Sequence, residues 1–304
     1  MPTILNHASG SANPATSLSA LWAYLQPALD HIVKSPTNDP DGKAPAIDFG
    51  LYAGIHSACY NYFTAQSEAT SASSLGGTDI YVQLDKYFEE AAREVALGAP
   101  LDDISLVRYI VPSFNRYHAG AQSANRLLNY VNRHYVKRAV DEDRGWLRVA
   151  DVLEAVAKKE LKKWGHEEGD STEQAAFAES CAEAASSLDR IVPIASLAHR
   201  RFRTEFIEPL LASPKIKGQS KAKNKIPKPP IGLNPVRPKG RLARAVHDLF
   251  ESDTIEREER LFLASGLAKT LQIIGVRKNH MLRKKLDKFI AKILEYNNGE
   301  RNGN

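Results

Sequence analysis

In SLSALWAYLQPALDHIV, residues 17–33, the apolar side chains Leu18, Leu21, Trp22, Leu25, Leu29, Ile32 and Val33 recur every three or four positions. That spacing gathers them on one face of a helix, and Ser17 or Ser19 can cap its first turn by accepting a hydrogen bond from a free backbone amide. Pro27 removes one N–H from the ladder and predicts a bend. The periodicity returns over about 47–65 (IDFGLYAGIHSACYNYFTA), over 79–97 through Ile80, Leu84, Tyr87, Phe88, Ala91 and Val95, and over 103–140, the longest run. It recurs in 146–165, in an alanine-rich stretch at 172–187, after Pro193 through Leu197, Phe202, Phe206, Ile207 and Leu210, and in three segments after 240. No apolar and polar residues alternate between hairpin turns, so the predicted fold is all-α, a bundle of packed helices.

Charge sets one segment apart. Residues 213–241, SPKIKGQSKAKNKIPKPPIGLNPVRPKGR, hold seven lysines, two arginines, six prolines and no acid, whereas the rest of the chain has more acids than bases. Proline denies helix donors, and the few apolar residues there cannot offset the entropy of ordering, so 213–240 is expected to be a long, disordered basic loop. Three uses stay open for it: a solvated loop, a nuclear localisation signal, or contact with nucleic acid or another acidic partner. It carries no aromatic residue for base stacking. Residues 1–16 and 297–304 are expected as tails. Within the last helical segment Met281, Leu282, Leu286, Phe289, Ile290 and Ile293 make an apolar face opposite a basic one, which suits core packing or a phosphate surface.

The residues give no catalytic signature. There is no GxxxxGK[ST] loop, GxGxxG, HExxH or GxSxG. His166 beside Glu167 and Glu168 reads as a solvated loop or a weak ion site. Cys59 and Cys181 are too few for a disulfide framework or a thiolate zinc site, and Cys59 suits a small buried hydrophobe. The expectation is a binding protein rather than an enzyme, with no cofactor or metal. The N-terminus lacks the basic and apolar regions of a signal peptide, and no stretch has the roughly 18 apolar residues of a membrane span. A cytoplasmic or nuclear location is expected.

Several blocks, in order, resemble the N-terminal region of cullins, the scaffolds of multisubunit ubiquitin ligases. LWAYLQPALDHI (21–32) resembles the opening cullin helix, LYAGIHSACYN (51–61) the "LYxxIYxxC" helix and IYVQLDKYFEEAA (80–92) the "LYxxLxxxL" helix. VRYIVPSFNRYHAGAQSANRLLNYVNRHYVKR (107–138) is similar to the long helix ending in "YLNRHWVRR". FRTEFIEPLL, RLARAVHDLFESDTIERE and LFLASGLAKTLQIIG resemble later blocks of the same repeat. The resemblance implies one cullin repeat over 17–212, expanded by an insertion at about 143–195 and by the basic loop, and completed by helices over 241–296. It implies no C-terminal cullin domain, hence no RING subunit, and competition with full-length cullins.

It also implies a groove for a BTB-like adaptor of F-box or BTB ligases, formed by Leu51, Tyr52, Ile55 and His56 on one helix and by Arg108, Tyr109, Pro112, Phe114, Asn115, Arg116 and Tyr117 on another. His56 stands where the family usually has Tyr and Phe114 where it has Trp. Pro112 inside the long helix predicts a kink. The block Asn132, Arg133, His134 and Tyr135 is implied to hold the repeat together. The alternative function is a helical scaffold that binds nucleic acid or other acidic partners through the basic loop and last helix.

Overall fold

The computed structural model describes residues 13–35, 43–69, 78–147, 154–213 and 240–301. Among them the ordered elements are helical and no strand is present, as the periodicity predicts. The basic loop at 214–239, residues 1–12 and 302–304 of the expected tails, and the stretches 36–42, 70–77 and 148–153 lie outside the described residues.

Helix α1 (Leu18–Leu29) begins where Ser17 accepts a hydrogen bond from the Ala20 amide, and it buries Leu21, Leu25, Ala28 and Leu29. After Pro27 the chain widens into a π-helical turn, Asp30–Lys34, which buries Ile32 and Val33. Helices α2 (Phe49–Ala69) and α3 (Thr78–Leu97) follow, then α4 (Asp103–Leu127), capped by Asp102 accepting from Ser105 N at 2.7 Å. Here α4 runs as one helix through Pro112, so the proline does not end it. Pro112 is exposed, and so is Arg108, the residue whose carbonyl loses its donor, so solvent can satisfy that group. The ladder resets farther on, at Leu128 (φ −99°, ψ 29°), and the chain continues as short α and π turns to Arg144.

Then come α5 (Glu154–Lys162), α6 (Thr172–Ala185), opened by a capping box of Ser171 and Gln174, and α7 (Ile194–Phe202), prolonged by a π turn (Arg203–Ile207) and Glu208–Leu211. The last three helices are α8 (Arg241–Glu251), α9 (Arg257–Ile273) and α10 (Met281–Arg301), the last running past the expected end at 296. In α10 Leu282, Leu286 and Ile293 are buried and Phe289 stacks on Phe250 at 4.0 Å, but Met281 is exposed, against the expected apolar face.

Helix α4 is the hub of the core. Its Tyr117 hydroxyl donates to Ala198 O of α7 at 3.0 Å, and Phe114 meets Phe202 edge-on at 5.1 Å. At Gly120 a Cβ would lie 2.7 Å from Ile32 O and 2.8 Å from Val33 Cα, so only glycine lets the end of α1 cross α4 this closely. Arg201 on α7 joins Asp85 and Glu89 on α3, fixing those two helices together.

Of the segment expected as an insertion, 143–195, the described residues leading into α7 are tied into the bundle. Val192 N donates to the Tyr81 hydroxyl at 3.0 Å, and that hydroxyl donates to Val192 O at 2.9 Å. Arg200, 1% exposed, donates to the carbonyls of Ser187 and Arg190, both at 2.8 Å, and so holds the chain between α6 and α7. Trp164, Ala178, Cys181 and Ala182 make a second small cluster where α5 meets α6.

Candidate functional site

The decapeptide NYVNRHYVKR, 129–138, divides its side chains between core and surface. Val131, Tyr135 and Val136 are buried, with the Tyr135 ring 5.2 Å from that of Tyr81. Asn132 bridges two elements: its Nδ2 donates to Asn125 Oδ1 at 2.8 Å, and its Oδ1 accepts from Ile194 N at 3.2 Å. Asn125 Oδ1 accepts from Ala195 N, also at 3.2 Å. The residue before α7 is Pro193, which offers no side-chain cap, so these two asparagines supply acceptors for the first amides of the helix. Asn132→Ala should therefore cost about 1–3 kcal/mol in chemical denaturation, because a buried donor loses its partner. Asn132→Asp keeps the acceptor for Ile194 N but sets a carboxylate oxygen against Asn125 Oδ1 and O in place of the donor, so it should not restore the parent's stability. An alanine variant as stable as the parent would remove the asparagines from this role.

Of the other side chains, Arg133, His134, Lys137 and Arg138 are exposed, and Tyr130 is half-buried against the core. His134 stacks on Tyr130 at 4.0 Å, and His56, Tyr60 and Phe63 of α2 meet Tyr130 edge-on at 5.5, 5.9 and 5.5 Å. Phe63 lies beneath, while His56, Tyr60 and His134 are exposed. Arg126 and Arg133 are exposed at neighbouring positions of the chain, and the Tyr52 hydroxyl lies 3.5 Å from Arg126 O. The result is a surface cluster of aromatic rings shared by α2 and the helical turns that follow α4.

The expected adaptor residues fall into several groups. Leu51 is 36% exposed, Tyr52 is half-buried, and His56 belongs to the aromatic patch. Arg108, Pro112, Asn115 and Arg116 are exposed on one stripe of α4. Arg108 is engaged there in a two-point pair with Glu259 of α9, at 2.7 and 3.0 Å. Tyr109 is half-buried, its hydroxyl donating to Val95 O at 2.7 Å. Ile55, Phe114 and Tyr117 are at most 2% exposed and face the core, so in this conformation a partner cannot touch them. Between Arg116 and Arg126 no residue of α4 is exposed, so the exposed positions 108–116 and Arg126 are separate patches about 15 Å apart at 1.5 Å per residue.

Tyr60, Tyr130, Arg126 and Phe49 (81% exposed) were not singled out by their sequence context. The signal lies in their spacing: Phe49, His56 and Tyr60 are seven and four apart, as Tyr130 and His134 are four apart, which is the spacing of one helix face.

Other features are structural. Cys59 is 1% exposed and burial pushes its thiol up to about 12, so it stays a neutral small hydrophobe. The acid facing His166 is Asp170 at 3.5 Å, rather than Glu167 or Glu168. Among the described residues no group of three or more His, Cys, Asp or Glu could hold a metal ion, and no helix is long and apolar enough to cross a membrane.

No family model and no solved structure matches the chain. Cell division control protein 53 of Saccharomyces cerevisiae, a cullin, is 21% identical to it over 134 residues, which are 40% of this chain and 16% of the yeast protein. The chain is thus distantly similar to a cullin over part of its length, and its all-helical fold is consistent with a cullin-repeat region.

Proposed function

We propose that the chain is a cullin-like scaffold module of ubiquitin ligases that binds a BTB-like substrate adaptor on the face shared by α2 and the helical turns that follow α4. The observation that supports this reading is the cluster of exposed His56, Tyr60 and His134 rings around the half-buried Tyr130, with Arg126 and Arg133 exposed at neighbouring positions of the chain. Aromatic and arginine side chains dominate the energetics of protein interfaces, and here they lie on rigid helices that lose little entropy on binding. Pro112, Asn115 and Arg116 are exposed farther back on α4 and would form a second, separate contact. An adaptor held on this face is withheld from any cullin that uses the same adaptor surface, so the protein would lower ligase output by competition.

Titration calorimetry against the BTB-like adaptor of F-box ligases from the same organism tests the reading. Micromolar or tighter binding is expected, with Tyr60→Ala weakening it at least tenfold, about 1.4 kcal/mol, and leaving thermal stability unchanged because the ring is on the surface. Arg116→Glu should weaken it less. Absence of binding, or full affinity in Tyr60→Ala, sinks the assignment of this face.

A further inference from the structure

We infer that the chain carries an anion-binding cleft, separate from the adaptor face, that takes a compact phosphate-rich ligand between α5 and the turn from α9 into α10. The cleft has a volume of about 620 Å³ and is lined by Lys162, Lys163, Arg277, Lys278 and Lys284, with Asp287 its one acid. An adjoining recess of about 280 Å³ shares Lys163, Lys278 and Asp287 and reaches Arg283 and the buried Trp164.

The fold, rather than a run of sequence, brings these cations together. Lys162 and Lys163 close the lysine-rich end of α5, and Arg277 to Lys284 follow Gly275, whose left-handed φ of 86° turns the chain from α9 toward α10. Against that turn lies the backbone of Ala184 and Ala185, so a Cβ at Gly275 would clash and the approach is fixed. Lys163 pairs with Glu160; among the described residues Lys162, Arg277, Lys278 and Lys284 make no ion pair. Like charges crowded on a concave wall repel one another and concentrate a positive potential, an arrangement that a bound anion relieves.

Arg283 supplies the second observation. It is 6% exposed and donates through Nη1 to Val276 O at 3.0 Å, yet its Nε, also buried, has no hydrogen-bond partner. Its Nη2 lies 3.5 Å from Gln272 Oε1, and the buried Nε leaves one guanidinium donor of this recess-lining residue open to an acceptor oxygen, as the Nε atoms of Arg200, Arg203 and Arg260 also do elsewhere. The volume is that of a small-molecule site, and lysines, as point charges without planar geometry, suit the tetrahedral oxygens of phosphate. No exposed aromatic lines the cleft for base stacking, which favours a compact oligophosphate over a nucleic acid strand.

The test is titration of the full chain with sodium tripolyphosphate at low salt, with citrate and sulfate at equal ionic strength. Micromolar binding of tripolyphosphate, with citrate and sulfate at least tenfold weaker, is expected. The double variant Lys278→Glu, Lys284→Glu, at exposed positions, should lose at least tenfold in affinity while melting at the parent temperature. A second variant neutralises Lys221, Lys223, Lys225 and Lys228 in the basic loop and should bind as the parent does. Equal binding of citrate overturns the phosphate assignment. Loss of binding in the loop variant alone, or tighter binding of a single-stranded oligonucleotide that the cleft variant leaves intact, moves the anion to the loop and overturns the cleft.

Discussion

Phe114→Ala should lower the stability of the chain by about 3 kcal/mol, the lower part of the range for emptying a buried aromatic site. Phe114 is 1% exposed, lies edge-on to Phe202 at 5.1 Å and stacks on His118 at 5.7 Å, so truncation leaves a cavity between α4 and α7. The cavity borders a pair of histidines whose rings stack at 4.9 Å, with His118 Nδ1 2.8 Å from His199 Nε2. His199 Nδ1 is buried without a partner. Chemical denaturation reads the loss directly. Any effect of Phe114→Ala on adaptor binding should follow the unfolded fraction and vanish at temperatures where the variant is folded. A variant that melts like the parent but no longer binds an adaptor would instead make Phe114 a contact residue.

The same position shows how far the sequence reaches. Helical periodicity is local, so α1 to α4 and the break at Pro193 can be read from residues three and four apart. On the wheel of α4, Phe114 and Tyr117 fall with Ile110 and Ala121 on the core side, whereas Arg108, Pro112 and Asn115 fall opposite. A residue set taken from the cullin resemblance spans both faces of this helix, and only burial separates them. Other features depend on pairs far apart in the chain. Asn125 and Asn132 meet the first amides of α7 across more than sixty residues, Arg200 gathers carbonyls from a loop that precedes its own helix, and the cationic cleft joins α5 to the start of α10. Local spacing cannot encode such pairings. It also did not reveal that 143–195, which ordinary cullin length leaves unexplained, supplies Val192 and Ile194 to the core.

That same segment sets the second large effect. Glu183 on α6 is 9% exposed, with Oε2 accepting from Ser196 Oγ at 2.6 Å. Burial pushes its carboxyl up to about 8; nearby Glu179 adds to the rise and the Ser196 hydrogen bond opposes it. An acid with a higher pKa folded than unfolded holds its proton more tightly in the native state. Its adverse effect is absent below an unfolded value near 4.5, grows as pH rises, and levels off above about 8. At 1.36 kcal/mol per unit, the loss is about 3 kcal/mol at pH 7 and about 5 kcal/mol at the plateau, as orders of magnitude. His118 and His199, held below their usual range chiefly by burial, act in the opposite direction: folding weakens as pH falls through the unfolded histidine value, near 6.5. The parent alone therefore shows a mixture of the two slopes. Glu183→Gln removes only the carboxylate term, so the difference in stability between variant and parent, followed from pH 5 to pH 9, isolates it. The variant should match the parent near pH 5 and exceed it by several kcal/mol at pH 8, while the histidine slope persists in both. A constant offset across that range would mean that Glu183 ionises in the folded chain as it does in water, and that α6 packs less tightly on α7 than the Ser196 contact indicates.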